Sequence, residues 1–275
     1  MKVALPEWQN EVVQQAMKLA TWAEAVPAAN LASACELVAT GLADTMVAGI
    51  NYTTRDVILA CRDYLGVKKK VFSSCFVMKR DKERSAVISS EKTGAETIII
   101  ADAGVTKHPN LEQLTEIILQ TYQTAKAVLE EEPRIAMLSF STFGSGGRDE
   151  TIELIRGAIE QVRAEQPEMK IEGEMQLDAA VNREIGLKKW HSSQDSESEP
   201  EVTGRANVLI CPDLNAGNIL YKALEQFGGF VAAGPILQGF KAPVSDLSRG
   251  SSQSDVLLVL ETMRKLVSVN QQEKE

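Results

Sequence analysis

Residues 97–140 read TIIIADAGVTKHPNLEQLTEIILQTYQTAKAVLEEEPRIAMLSF, and the order of patterns in this stretch decides the fold class. The run at 97–101 is short, rich in β-branched side chains and apolar throughout rather than alternating, so a strand there has both faces covered. Asn110 then offers a side-chain oxygen to the free N–H groups of a helix start. Leu111, Leu114, Ile117, Ile118, Ala125, Val128 and Leu129 follow at 3–4 spacing, on one helical face, until Pro133 comes near. A second apolar run occupies 135–140. Buried strand, amphipathic helix and buried strand in succession predict an α/β protein.

Working outward, similar β-like runs lie at 45–48, 71–77, 208–211 and 230–233, and helical patterns at 149–165, 215–227 and 254–267. Residues 191–203, centred on SSQDSESEPE, offer no apolar anchor to offset their ordering entropy and predict an exposed loop. Residues 79–84, KRDKER, predict a solvated hairpin end. No internal repeat is visible.

With 275 residues and 44% apolar content the chain can bury a sizeable core, as one large domain or two modest ones. Its start meets charge early and lacks an apolar h-region, and no run of eighteen apolar residues occurs, so the expected place is the cytoplasm, without a membrane partner. Cys35, Cys61, Cys75 and Cys211 show no C-x-x-C spacing and only His108 and His191 are present, which argues against a metal site or a disulfide framework. The sequon at Asn51-Tyr-Thr53 reads as coincidence in the absence of a secretory signal. A net charge of −9 and a pI near 5.0 argue against nucleic acid. If the substrate is an anion the overall field repels it, and the site must then carry its own cations.

Four motifs carry chemistry. Asp246-Leu-Ser-Arg249-Gly-Ser-Ser-Gln-Ser-Asp255 sets an arginine among small polar residues before a helix, where a guanidinium and free N–H groups can converge on one anion. The plainer alternatives are a surface pair between Arg249 and Asp246 and a helix-capping role for Asp255. Ser141-Thr142-Phe-Gly144-Ser145-Gly-Gly147 follows a buried strand, so its amides and hydroxyls suit a phosphate; a tight turn needs the same residues, and the G-x-G-x-x-G spacing is absent. Pro212-Asp213-Leu-Asn215-Ala-Gly-Asn218 also follows an apolar strand, with Asn215 as the candidate N-cap. Gly173-Glu-Met-Gln-Leu-Asp178-Ala-Ala places Asp178 inside a predicted helix, where structural and site roles are both open.

Together, and in this order, the four motifs resemble the phosphate acetyl/butyryltransferase family. The resemblance covers most of the chain from about Gly41 onward, and Lys2-Val-Ala-Leu-Pro-Glu7 looks like the family's opening strand. It implies reversible transfer of an acyl group between inorganic phosphate and coenzyme A, with acetyl favoured over butyryl by the run Asp246–Gly250. It implies no permanently bound cofactor, coenzyme A or acetyl-coenzyme A as a substrate beside acyl phosphate and phosphate, and a homodimer. The implied fold is a two-domain three-layer α/β sandwich resembling the isocitrate/isopropylmalate dehydrogenase-like fold, with a cleft between domains made from 1–70 plus 237–275 and from 71–236. Carried over, Arg249 is the cation that holds phosphate and the developing oxyanion, Ser248 a hydroxyl donor and Asp255 the base. Ser141, Thr142, Gly144, Ser145, Asp213, Asn215 and Asn218 are expected to bind substrate.

The chain departs from the family in three places. The segment between Glu7 and Gly41 is much shorter and lacks a region that supplies a cleft arginine, Tyr52 stands where the family carries histidine, and Leu59 where it carries arginine. Arg55, four residues before Leu59 and so on the same helical face, is the candidate replacement, with Arg62 at i+3. These departures support an alternative: a degenerate relative that binds coenzyme A or acyl phosphate without turnover. A relative of the fold-sharing dehydrogenases is a poorer reading, since no cluster of metal-binding aspartates is apparent.

Overall fold

A computed structural model describes residues 1–81, 95–193 and 198–272. The elements, in chain order, are β1 (Lys2–Leu5), α1 (Glu11–Leu19), β2 (Glu24–Pro27), α2 (Leu31–Ala39), β3 (Thr45–Ala48) and α3 (Thr54–Ala60), which runs on into a π turn, Cys61–Leu65. Then come β4 (Ser73–Arg80), β5 (Thr97–Ala101), α4 (Leu111–Val128), β6 (Arg134–Leu138), α5 (Glu150–Glu165) and β7 (Lys170–Met175). The remainder is α6 (Leu177–Val181), α7 (Arg183–Ser193), β8 (Val208–Ile210), α8 (Leu214–Gln226), β9 (Phe230–Gln238), β10 (Val244–Asp246) and α9 (Gln253–Gln272).

The chain divides into two compact units, Met1–Val77 with Val231–Glu275, and Met78–Phe230. In the first, the strand order is β2-β1-β3-β10-β9. β1 lies parallel to β2 and β3, β10 parallel to β3, and β10 antiparallel to β9. α1 packs on α9 and α2 on β1 and β3. β4 straddles the boundary, with Ser73–Val77 in the first unit and Met78–Arg80 in the second. From β4 the second unit's order runs β5-β8-β6-β7, with parallel pairing between β5 and β8, β6 and β8, and β6 and β7.

The stretch at 97–140 forms the strand, helix and strand that its pattern predicts, but the second strand is Arg134–Leu138, short of the expected 140: Phe140 is exposed in the loop beyond it, Leu111 is exposed at the first turn of α4, and Leu129 lies just past the helix end. Asn110 accepts the Gln113 N–H at 2.9 Å and Gln113 accepts the Asn110 N–H at 3.0 Å, a reciprocal cap that starts α4. Leu114, Ile117, Ile118, Ala125 and Val128 are buried along one side, and α4 packs on α5 and β5. Each fully buried Leu or Ile contributes roughly 1.5–3 kcal/mol. Ile98–Ala101 is buried without alternation, as a strand covered on both faces requires.

Several expectations change. The run expected at 71–77 is β4, shifted to end at Arg80, and β9 extends to Gln238. β2, β7 and β10 were not marked by apolar runs: β7 carries Glu172 and Glu174, and β10 is only three residues long. α8 is capped by Asp213, which accepts the Ala216 N–H at 2.9 Å, so Asn215 is the second helical residue and not the cap. Of the hairpin end expected at 79–84, Lys79 and Arg80 close β4 and residues 82–84 lie outside the described residues.

Residues 191–203 are not a free loop where they are described. α7 continues to Ser193, and Val202 and Thr203 are fully buried. Glu172 holds them: its carboxylate accepts the N–H groups of Glu201, Val202 and Thr203 at 2.8, 3.1 and 2.8 Å, and the Thr203 hydroxyl at 2.6 Å. The acidic appearance of the segment hid an anchor supplied from β7. Among the described residues, no helix is long and apolar enough to cross a membrane.

Candidate active site

In the first unit Asp246 of β10 lies opposite Ala48 of β3, so the loops leaving these parallel neighbours stand side by side at the carboxyl ends of their strands. That is where open α/β sheets place ligands. Gly49 opens the first loop at φ +116°, and a Cβ there would overlap Asp246 Oδ1 and the Leu247 backbone, so only glycine fits. Glu7, the last residue of the quoted opening run, holds this loop from within. Its Oε2 accepts the Gly49 and Ile50 N–H groups at 2.7 and 3.1 Å and its Oε1 accepts that of Asn51, although Glu7 is itself buried.

Thr53 caps α3 through a reciprocal bond with Asp56. The next residue, Thr54, donates its hydroxyl to Asp246 Oδ2 at 2.5 Å. Asp246 is 2% exposed, and its second oxygen is buried without a hydrogen-bond partner among the described residues. Burial pushes this carboxyl up to about 6, against the Thr54 hydrogen bond and with the Glu7 charge adding to the rise. The surface pair between Arg249 and Asp246 therefore does not form. Ser248, Arg249 and Gly250 are exposed, and Arg249 has no ion-pair partner among the described residues.

Asp255 is buried at the start of α9, where Oδ2 accepts the Ser252 N–H at 2.7 Å and hydroxyl at 2.8 Å while Ser252 Oγ accepts the Asp255 N–H at 3.3 Å. The capping role is thus realised, and it fixes the carboxylate in place beside the loop that carries Arg249. Arg55, the second residue of α3, is exposed and unpaired among the described residues, with Tyr52 and Leu59 half-buried. Arg62 is spent on Asp63 at 2.7 Å, an exposed pair off the end of α3.

In the second unit the loop after β6 is already furnished with an anion. Glu174 Oε1 accepts the Ser141 hydroxyl at 2.9 Å and the Gly144 N–H at 2.7 Å, and Arg156 Nε donates to Oε2 at 2.9 Å. Burial by itself would raise the Glu174 carboxyl. The Arg156 guanidinium, the Gly144 N–H and the Ser141 hydroxyl outweigh it and hold the group below the usual carboxylate value. Ser145 Oγ accepts the Thr142 N–H, and Ser141 Oγ accepts the Gly146 N–H, both at 2.9 Å. Ser141 and Thr142 are buried, whereas Gly144 and Ser145 are exposed. The loop expected to cradle a phosphate is a ring of donors, but the Ser141 hydroxyl and the Gly144 N–H are taken by the Glu174 carboxylate, and the N–H groups of Thr142, Ser145, Gly146 and Gly147 bond within the loop.

Asp178 pairs with Lys189 at 2.7 and 2.9 Å, which holds its carboxyl below the ordinary value, and Lys189 also donates to Gln176 at 2.8 Å. Gln176 in turn receives the Thr142 hydroxyl at 3.3 Å, so the Gly173–Ala180 motif acts as the brace of the 141–147 loop. At the carboxyl end of β5, Asp102 accepts the N–H groups of Gly104, Val105 and Thr106 at 3.0, 3.1 and 2.8 Å. α8 starts against this loop: Gly217 leaves no room for a Cβ beside the Asp102 carbonyl, and Asn218 Nδ2 donates to the Ala103 carbonyl at 3.3 Å. Asn215 points outward as an exposed residue. Among the described residues no group of three or more His, Cys, Asp or Glu side chains is placed to hold a metal ion.

Sequence reasoning passed over Glu7, Thr54, Asp102, Arg156 and Glu174. Glu174 lies within the Gly173–Ala180 motif, but nothing in the spacing pairs it with a loop thirty residues earlier.

These strand orders and strand-end loops place the chain in the α/β class, with mostly parallel sheets. The model of the phosphate acetyl/butaryl transferase family matches residues 4–262, and the chain belongs to that family. It is 40% identical over 235 residues to a phosphate acetyltransferase of Thermoanaerobacterium thermosaccharolyticum, covering 85% of this chain and 67% of that one. With a phosphate acetyltransferase of Bacillus subtilis it shares 39% over 222 residues, 80% of this chain and 62% of that one. The chain thus spans about two thirds or less of these relatives' lengths. A crystal structure of a phosphotransacetylase from Streptococcus pyogenes is similar at TM-score 0.79 and 28% identity, covering 98% of this chain and 94% of that one.

Proposed function

We propose that the chain is a phosphate acetyltransferase-like acyltransferase that moves acetyl, or another short acyl group, reversibly between coenzyme A and inorganic phosphate. The observation that carries this reading is Arg249, exposed and without an ion-pair partner among the described residues, flanked by Ser248 and Gly250 at the end of β10 in a chain of this family. In the forward step the coenzyme thiolate attacks the carbonyl carbon of acyl phosphate, the C–S bond forms, the bond from carbon to the phosphate oxygen breaks and phosphate leaves with its electron pair. Arg249 and the Ser248 hydroxyl meet the charge that develops on the carbonyl and phosphate oxygens. Asp255 takes the thiol proton, which helps because a free thiol titrates near about 8.5. Arg55 supplies a second cation in a chain of net charge −9.

On this reading coenzyme A is a substrate and nothing is permanently bound. Ser141, Thr142, Gly144, Ser145, Asp213, Asn215 and Asn218 border the substrate, with Gly144, Ser145 and Asn215 supplying exposed surface and the others holding it. The two units act as the two α/β domains of a cytoplasmic homodimer. Family membership supports these points.

The test is formation of thioester absorbance from acetyl phosphate and coenzyme A, measured for the parent and for Arg249→Ala. Turnover in the parent that falls by roughly two to three powers of ten in the variant is expected, the range for losing one transition-state donor. Binding of coenzyme A without turnover in the parent overturns the proposal in favour of a ligand-binding relative.

A further inference from the structure

Cys35 and Cys61 belong to different helices, the buried side of α2 and the first residue of the π turn after α3, yet their sulfurs lie 3.9 Å apart. Both are fully buried, and Met46 brings a third sulfur to within 3.7 Å of Cys35. Buried cysteines ordinarily serve as small apolar side chains. Two thiols in contact are a different object, because each is the partner the other needs. A disulfide requires about 2.05 Å between sulfurs, so the pair must close by about 2 Å to form the bond, between two elements that already pack on each other, α2 and the turn after α3. The other two cysteines are built differently: Cys75 receives a hydrogen bond from Gln238 at 3.6 Å, and Cys211 is buried next to Asp213 and Asp102 in the sequence's other unit.

We propose that Cys35 and Cys61 are a peroxide-oxidisable dithiol site, closing to a reversible disulfide that ties α2 to the turn after α3. This does not rest on the acyl-transfer reading. A 3.9 Å S–H···S hydrogen bond links the two sulfurs. That contact holds the Cys35 thiol below its ordinary range and, with burial, pushes the Cys61 thiol up, so Cys35 is the sulfur that ionises first and attacks. Burial pushes Cys211 up to about 12, which keeps it inert. The Cys35 thiolate attacks one oxygen of a hydroperoxide, the S–O bond of a sulfenic acid forms, the O–O bond breaks, and hydroxide or alkoxide leaves and takes up a proton to become water or alcohol. The Cys61 sulfur then loses its proton and attacks the Cys35 sulfur, the S–O bond breaks and a second water leaves. Two thiols and one peroxide thus yield one disulfide, with hydrogen peroxide giving two waters. Access needs only a small oxidant and a transient opening of the turn, whose outer residues Asp63 and Tyr64 are exposed.

The experiment treats the full chain with hydrogen peroxide, then denatures and alkylates it. Two of the four thiols should be lost together, with peptides containing Cys35 and Cys61 joined and freed again by a thiol reductant. Cys61→Ala and Cys35→Ala should each abolish the cross-link. Retention of all four alkylatable thiols in the oxidised parent, or a link that involves Cys75 or Cys211, overturns the proposal whatever the variants do.

Discussion

Thr54 Oγ1 donates to Asp246 Oδ2 across 2.5 Å, joining the first turn of α3 to the strand that leads into Ser248 and Arg249. Arg55 and Arg249 follow these two residues in the chain, by one position and three. This part-buried hydrogen bond therefore ties together the roots of both candidate cations.

Replacing Asp246 by Asn should stabilise the protein at neutral and alkaline pH. The folded carboxyl titrates at about 6 against an ordinary 3.8, so its stabilising contribution is complete below 3.8 and is lost as pH rises through about 6. Asparagine keeps an acceptor for Thr54 and carries no charge. Thermal unfolding at pH 8 should show a gain of about 1–3 kcal/mol that has vanished at pH 4. A lower melting temperature than the parent at both pH values contradicts the account.

Glu174 and Arg156 should behave as a coupled pair. Glu174 is 1% exposed and Arg156 41%, so solvent screens one partner only. Arg156→Ala, which leaves a buried carboxylate less well compensated, should cost about 2–4 kcal/mol in urea unfolding. Glu174→Ala should cost a similar amount through the released Ser141 and Gly144 donors. The double variant should cost clearly less than the sum, and strict additivity excludes the coupling. The sign with pH is opposite to that of Asp246: the Glu174 contribution is present above about 4.5 and is lost as pH falls below it.

Much of this was legible and some was not, for physical reasons. The 97–140 stretch announced its strand and helix because burial on both faces removes alternation and burial on one imposes a 3–4 repeat. β7 stayed hidden because Glu172 and Glu174 look like surface residues until their partners, at 201–203 and 141–144, are known. Local pattern does not report a carboxylate that bonds to a segment thirty residues away. The Ser248-Arg249-Gly250 loop was readable, since an arginine among small residues is conspicuous, whereas Thr54 became meaningful only beside Asp246.

Asp255→Asn separates the cap from the base. Asparagine can still accept from Ser252, so stability should fall by less than about 1 kcal/mol. The acyl-transfer rate should drop more at low pH than at high pH, because thiolate forms unaided as pH approaches the thiol's own value. Single-turnover rates across that range decide the matter, and a small uniform loss assigns Asp255 to the cap alone.

Arg55→Ala should raise the Michaelis constant for coenzyme A several-fold at low ionic strength, with the effect shrinking as salt is added. Leu59→Arg in that background should recover part of the loss. Calorimetry of coenzyme A binding measures both, and unchanged affinity in Arg55→Ala removes this residue from the site.

Glu7, Asp102 and Glu172 each grip three consecutive backbone amides, and Glu174 fills the 141–147 loop. These four belong to the 38 acidic residues that set the pI near 5.0, yet they are fasteners and not surface charge. Anyone retuning the isoelectric point of this protein, for crystallisation or for immobilisation on a charged support, should leave them alone: an amide at any of the four presents a donor where the loop offers only donors, and trades a shift in net charge for an unfastened loop.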